Sequence, residues 1–241
     1  MKFFVGFVLF IISSVGFANK KTYKVATLEW PPFVCTECPG QGIAASALKK
    51  ALASQNIDIV FEFMSWSQAI RISNNPEFLG YFPAWDTEFE KGFIQSQPLF
   101  ESPLGFVERK DNPIQWQTLK DLKGLRIGGA KDYRYPTKFL DLAGEGFFKF
   151  EIVVSDDTNL RKLAQKKLDA VIIDKNNAAY LIKKSSSKIR RQLAINPKVL
   201  ETKNLYIMLN KKHEDIIPKI NLGITTTNTK EIVQKNIPNM L

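Results

Sequence analysis

IDIVFEFMSWSQAIRISNNPEFLGYF, residues 57–82, decides the fold class. Ile57, Ile59, Phe61 and Phe63 alternate with Asp58, Val60, Glu62 and Met64, the period of a strand with one face fully apolar. Trp66 to Ser73 reads as a short helix, and Phe78 to Phe82 as a buried strand. Strand, helix and strand in that order imply parallel pairing with a helix on the sheet face. Upstream, Tyr23 to Leu28 is a further strand, stopped at Trp30-Pro31-Pro32 because two prolines end any ladder. Between them, Gly42 to Ser54 carries Ala44, Leu48, Ala51 and Leu52 at helical spacing. The chain from Tyr23 to Phe82 therefore reads βαβαβ.

Downstream the pattern restarts. Phe100 to Glu108 is extended, and the polar run Arg109-Lys110-Asp111-Asn112-Pro113 marks a boundary. Leu119 to Leu122 reads as a short helix, Leu125 to Gly128 as a strand, Tyr133 to Leu142 as a helix and Phe148 to Val154 as a strand. Asp157 to Leu168 is a helix opened by Asp156 or Asp157 as N-cap. Ala170 to Ile173 is a strand and Asn176 to Lys184 a helix. Leu205 to Leu209 is a last strand before two short helices. The expected fold class is α/β with two lobes, each a mostly parallel sheet flanked by helices. Lobe 1 takes residues 19–108, lobe 2 takes 109–203, and 204–241 return to complete lobe 1, with crossings near Phe106 and Tyr206. Ligands of open α/β sheets bind beyond the carboxyl ends of the strands, so a cleft between the lobes is the natural site.

Composition narrows the function. The chain has 241 residues, 44% apolar and 24% charged, which suits a globular protein. A single histidine, His213, excludes any site built on two. Thirty-four basic against 24 acidic residues leave a net charge of +10, which suits nucleic acid, anionic lipid or an acidic partner. The N-terminus chooses among these. Met1-Lys2, the apolar run Phe3 to Ile12 and small residues at Gly16 and Ala18 follow the order of a secretory signal peptide, residues 1–18, cleaved after Ala18. The alternative is an uncleaved anchor, although the apolar run is short of the ~20 residues that span a bilayer. An exported protein seldom meets nucleic acid, so none is expected as a partner. The run Lys183, Lys184, Lys188, Arg190 and Arg191 reads as a solvated helix face.

Cys35 and Cys38 are the only cysteines. Without a second pair a structural zinc site is not expected, and no metal or cofactor is called for. Export makes a disulfide the default; a redox-active pair is the alternative, set against it by Pro39-Gly40, which interrupts the helix such a pair normally opens.

Several motifs, in order, resemble the bacterial extracellular solute-binding proteins of family 3, periplasmic partners of ABC importers. They are TLEWPPF (27–33), GQGIAASALKKAL (40–52), SWSQAI (65–70), SQPLFES (96–102), LKDLKGLRIGGAKDY (119–133) and LAQKKLDAVIID (163–174). The resemblance implies a type II periplasmic binding fold, a monomer in the periplasm, a small polar or amine-bearing solute, and a membrane ABC permease as partner. It implies an Asp on the second lobe for the ligand's ammonium, matched by Asp174, and an Arg on the first for its carboxylate. Counting back from Ser96 puts Phe89 at the Arg position. Without that bidentate fork a free amino acid loses its best carboxylate contact.

Around the cleft the sequence then offers aromatic groups: Trp30, Phe33, Trp66, Phe82, Trp85, Tyr133 and Tyr135. Each is either packing or binding surface; Trp30, Phe33, Trp66, Trp85, Tyr133 and Asp174 form the expected ligand set. Aromatic faces with a carboxylate suit a cation. Asp86 and Asp132 add charge, unless Asp132 only caps a helix at Tyr133. Two other classes remain open: a sensory or scaffold relative without a transport role, and a dehydratase-like cleft enzyme using Glu88, Asp132 or Asp174. No paired carboxylates or nucleophile–base pair mark a catalytic residue.

Overall fold

The alternating residues of 57–63 form a strand, and it lies parallel to its upstream neighbour. The computed structural model describes residues 22–86 and 90–240. The expected signal peptide, Glu88 and Phe89 lie outside the described residues. The first elements are β1 (Thr22–Thr27), α1 (Ile43–Ala53), β2 (Asp58–Phe63), α2 (Trp66–Ile72), β3 (Phe78–Trp85), β4 (Phe93–Gln95) and β5 (Phe100–Arg109). β1 pairs in parallel with both β2 and β3, as the βαβαβ reading requires. All eight residues of β3 are buried, which is why it reads as a continuous apolar run. Gly80 in this strand has a packing reason: a Cβ there would sit 1.8 Å from the Met208 carbonyl oxygen.

The second unit comprises β6 (Arg126–Ala130), α3 (Thr137–Gly144), β7 (Lys149–Val153), α4 (Asp156–Ala164), β8 (Ala170–Asp174), α5 (Lys175–Lys184) and α6 (Ser187–Gln192). β6 pairs in parallel with β7 and β8. α3 begins at Thr137 rather than Tyr133, with Pro136 as its N-cap; proline pushes the preceding residue out of the helical region. Asp132, at φ +67°, is therefore a turn residue and caps nothing. α4 is capped by Ser155, whose Oγ accepts the Thr158 N–H at 3.3 Å, so neither Asp156 nor Asp157 is the N-cap. The basic residues from Lys183 to Arg191 are exposed on α5 and α6.

The chain closes with β9 (Leu193–Asn210), α7 (Ile217–Thr227) and α8 (Thr229–Met240), both helices packed on α1. β9 is far longer than the Leu205–Leu209 strand read from sequence. It runs antiparallel to β5 through both lobes, so the strands form one mixed sheet in the order β2-β1-β3-β9-β5-β8-β6-β7. Antiparallel crossings, not two self-contained parallel sheets, join the lobes. The β5–β9 register slips on either side of Gly105, which pairs with Val199. Tyr206, further along β9, pairs with Ala84 of β3.

Cys35 and Cys38 form a disulfide with Cα atoms 5.4 Å apart. The loop is tied by the Cys35 N–H to Gln41 carbonyl bond, 3.0 Å, and the Gln41 N–H to Cys38 carbonyl bond, 2.9 Å. A four-residue ring restricts the unfolded chain little, so removing the bridge should cost at most ~2 kcal/mol. Urea unfolding of the Cys35→Ser, Cys38→Ser variant measures that cost; a loss well above it would assign the bridge a larger role. Thiol labelling of non-reduced protein should find no free thiol.

Candidate functional site

Six strand ends meet across one cleft. From lobe 1 come Leu28–Pro31 after β1, Met64–Ser67 after β2, and Trp85 at the end of β3; from lobe 2 come Ala130–Tyr133 after β6, Val154–Asp157 after β7, and Asn177 in the first turn of α5. These are the carboxyl ends of parallel strands, where loops and helix N-termini converge. The cleft encloses about 1430 Å³ of space open to solvent. An apolar chamber of about 270 Å³, lined by Pro83, Trp85 and Leu205, adjoins it and shares Leu28, Trp30, Trp66 and Tyr133.

The lobes touch directly. Trp85 meets Tyr133 edge to face, ring centroids 5.6 Å apart. Asn177 Nδ2 donates to the Pro31 carbonyl at 2.5 Å. Arg134 pairs with Glu90 at 2.8 Å, and Cys38 Sγ lies 3.8 Å from the Tyr180 hydroxyl of α5.

The structure brings Trp30, Trp66, Trp85 and Tyr133 together on these walls. Trp66 is set there by the N-terminus of α2, where Ser65 and Gln68 form a reciprocal cap. Phe33 and Asp174 do not line either cavity. Phe33 is fully buried and stacks on Phe100 at 5.0 Å, so its apolar ring belongs to the core. Phe82 is likewise core, between Phe61 and Phe100. Tyr135 turns inward, its hydroxyl accepting the Ala130 N–H at 2.6 Å.

Asp174 is buried at the end of β8, with both oxygens engaged inside the protein. Its Oδ1 accepts the Asn177 N–H at 2.6 Å, capping α5, and its Oδ2 accepts the Ser102 hydroxyl from the crossing strand β5. Burial raises its pKa from 3.8 to about 6, while the hydroxyl and backbone donors pull the other way. This carboxylate ties α5 to β5.

The residue that sequence reasoning missed is Asp156. It opens α4 at the end of β7 and is only 6% exposed. Its Oδ2 accepts the Tyr133 hydroxyl at 3.2 Å, while Oδ1 is buried with no hydrogen-bond partner among the described residues. Burial raises its pKa from 3.8 to about 7, the Tyr133 hydrogen bond lowers it, and the Asp174 charge raises it further. The same burial, with the Asp156 charge behind it, holds the Tyr133 phenol well above its usual range. The sequence signal was present, an acidic residue directly after an apolar strand, but a capping role explained it equally well. Glu29, Asp132 and Asp157 also line the cleft, against Lys131 alone among the basic residues. Its electrostatics are acidic in a chain of net charge +10, so the cleft opposes the charge of the surface as a whole.

No protein-family model matches the chain, and no curated protein sequence matches it. Solved structures do. The GluR0 ligand-binding core in complex with L-glutamate is 17% identical, with 92% of this chain and 99% of that one covered at a TM-score of 0.76. An ancestral arginine-binding protein bound to glutamine is 19% identical, covering 91% and 97% at 0.72. A histidine kinase sensor domain with similarity to periplasmic binding proteins is 15% identical, covering 89% and 95% at 0.74. The fold is that of the two-lobed periplasmic binding proteins. Among the described residues no group of His, Cys, Asp and Glu is placed to hold a metal ion, and no helix is long and apolar enough to cross a membrane.

Proposed function

We propose that this protein is an exported solute-binding protein that captures a small amine-bearing solute between its lobes, for delivery to a membrane ABC permease. The observation that carries the reading is the cleft wall itself. Trp30, Trp66 and Tyr133 offer ring faces, Asp156 a buried carboxylate, and the surrounding acidic side chains outnumber the basic one. Ring faces and buried negative charge favour a cation together. Phe89 at the position where the resemblance expects a carboxylate-clamping Arg points the same way: the amine, not a carboxylate, is the recognised end. The signal-like segment 1–18 supports export to the periplasm. The role is binding rather than catalysis, as for the ligand-binding core and arginine-binding protein that share the fold.

A second reading keeps the cleft but changes the readout. The sensor domain of a histidine kinase has this fold, so ligand-driven closure would serve signalling as readily as import. One experiment tests the shared claim: protein purified from its own periplasm is denatured and the released small molecules are identified by mass spectrometry. An organic amine is expected. Release of an acidic or neutral solute in stoichiometric amount, or its turnover by the protein, would overturn the proposal.

A further inference from the structure

Three buried polar atoms on the cleft wall have no hydrogen-bond partner among the described residues. Asp156 Oδ1 and Asn177 Oδ1 are acceptors; Trp30 Nε1 is a donor. Their residues are 6%, 1% and 4% exposed, and all three line the same cleft. Such groups are costly to bury unless something meets them. They are also held in place. Asp156 is fixed through its other oxygen by the Tyr133 hydroxyl, Asn177 through its amide nitrogen on the Pro31 carbonyl. The Trp30 backbone is bound to Val34, its N–H donating to the Val34 carbonyl at 2.7 Å. The Asn177–Pro31 bond joins the two lobes, while Tyr133 and Asp156 both stand on lobe 2, so the closed cleft presents the Asn177 acceptor beside the Asp156 one.

Resting on the cleft reading above, we infer that the unmatched acceptors of Asp156 and Asn177 take a primary ammonium, and that the Trp30 indole N–H takes a hydrogen-bond acceptor on the same ligand. Asp156 is then the specificity-determining residue, not Asp174, whose oxygens are occupied by Ser102 and Asn177. The chemical class follows: a primary amine with a nearby carbonyl or hydroxyl and no need of a free carboxylate, such as an amino-acid amide or an amino alcohol. An acylated nitrogen carries one N–H, too few for both acceptors, and an acidic ligand would meet an unpaired buried carboxylate.

The test uses the full mature chain and the fluorescence of the cleft tryptophans. Lysinamide, glycinamide and ethanolamine are titrated, with N-acetylglycinamide and L-glutamate beside them. At least one primary amine should bind, and N-acetylglycinamide should not. Asp156→Asn should weaken the amine by about tenfold to 100-fold, the range for a hydrogen bond to a charged group. Trp30→Phe, which keeps an aromatic face and removes the N–H, should weaken it by about three- to tenfold. If N-acetylglycinamide or L-glutamate binds as well as the amines, or if both variants bind the amine within twofold of wild type, the inference is overturned and the cleft reading stands. If no probe moves the fluorescence and denaturation releases no solute, both are overturned.

Discussion

Asp156→Asn should make the unliganded protein more stable at pH 8, while costing it ligand. A carboxyl whose pKa rises from 3.8 to about 7 on folding destabilises the folded state by up to about 4 kcal/mol above both values, at about 1.4 kcal/mol per pKa unit. The sign follows from proton counts. Between roughly pH 4 and pH 7 the folded protein holds a proton on Asp156 that the unfolded chain has released, so stability falls as pH rises. Below pH 4 both states are protonated and the penalty vanishes. The groups facing this carboxyl are the Tyr133 hydroxyl and Asp174, with Lys131, Asp132, Asp157 and Glu29 on the same cleft. Asp174, raised to about 6, acts in the same sense and remains in the variant. Urea unfolding at pH 5 and pH 8 should therefore show a gain for Asp156→Asn that is large at pH 8 and shrinks toward pH 4. A variant no more stable than wild type at pH 8 would mean the carboxylate is solvated or paired. A net folding stability of only about 5–15 kcal/mol makes such a residue expensive to keep, which is the usual mark of a binding group.

Trp85→Ala should have the next largest effect, and it should act on closure. Trp85 is 5% exposed and lies edge to face with Trp30 at 6.3 Å and with Tyr133 at 5.6 Å. The second contact joins the lobes. Truncating a buried tryptophan costs about 3–5 kcal/mol through lost contacts and the cavity left behind; the lower end is expected here, because the apolar chamber already leaves space on one side. The ion pair Arg134–Glu90, which also joins the lobes, is half exposed and holds them with at most ~1 kcal/mol. Small-angle scattering should accordingly show a larger radius of gyration for the variant. An unchanged scattering curve together with a loss under about 1 kcal/mol would place the closing contact elsewhere, at Asn177–Pro31 or Cys38–Tyr180.

Both predictions depend on residues whose roles were unevenly legible. Trp30, Trp66, Trp85 and Tyr133 follow strands or open a helix, and that position alone marked them as candidate wall. Phe33 was indistinguishable from them by position, and only the stacked Phe100 ring shows it to be core. Asp174 was legible as a carboxylate at a strand end. That its oxygens serve Ser102 and the α5 N-terminus was not, because Ser102 is far away in sequence and meets it only through the β5–β8 pairing, where Leu104 lies opposite Asp174.

What the sequence determined by itself was the double βαβαβ plan. The central strand β3, buried along its whole length, is an apolar run, the edge strand β2 alternates, and the helices between strands carry an apolar stripe, so each of these elements is legible within a few residues. What only the tertiary structure decided were the features built from long-range pairing. The first half of β9 reads as a polar loop, with Asn196, Pro197, Lys198, Glu201 and Lys203. In lobe 2 it has β5 on one side and no further strand on the other, a position where a proline without an N–H is tolerated. The burial of Asp156 belongs to the same class. An acidic residue at a helix start is normally solvated, and nothing in its neighbours along the chain says otherwise. It is buried, and left with one oxygen free, because Tyr133 reaches it from a different strand end.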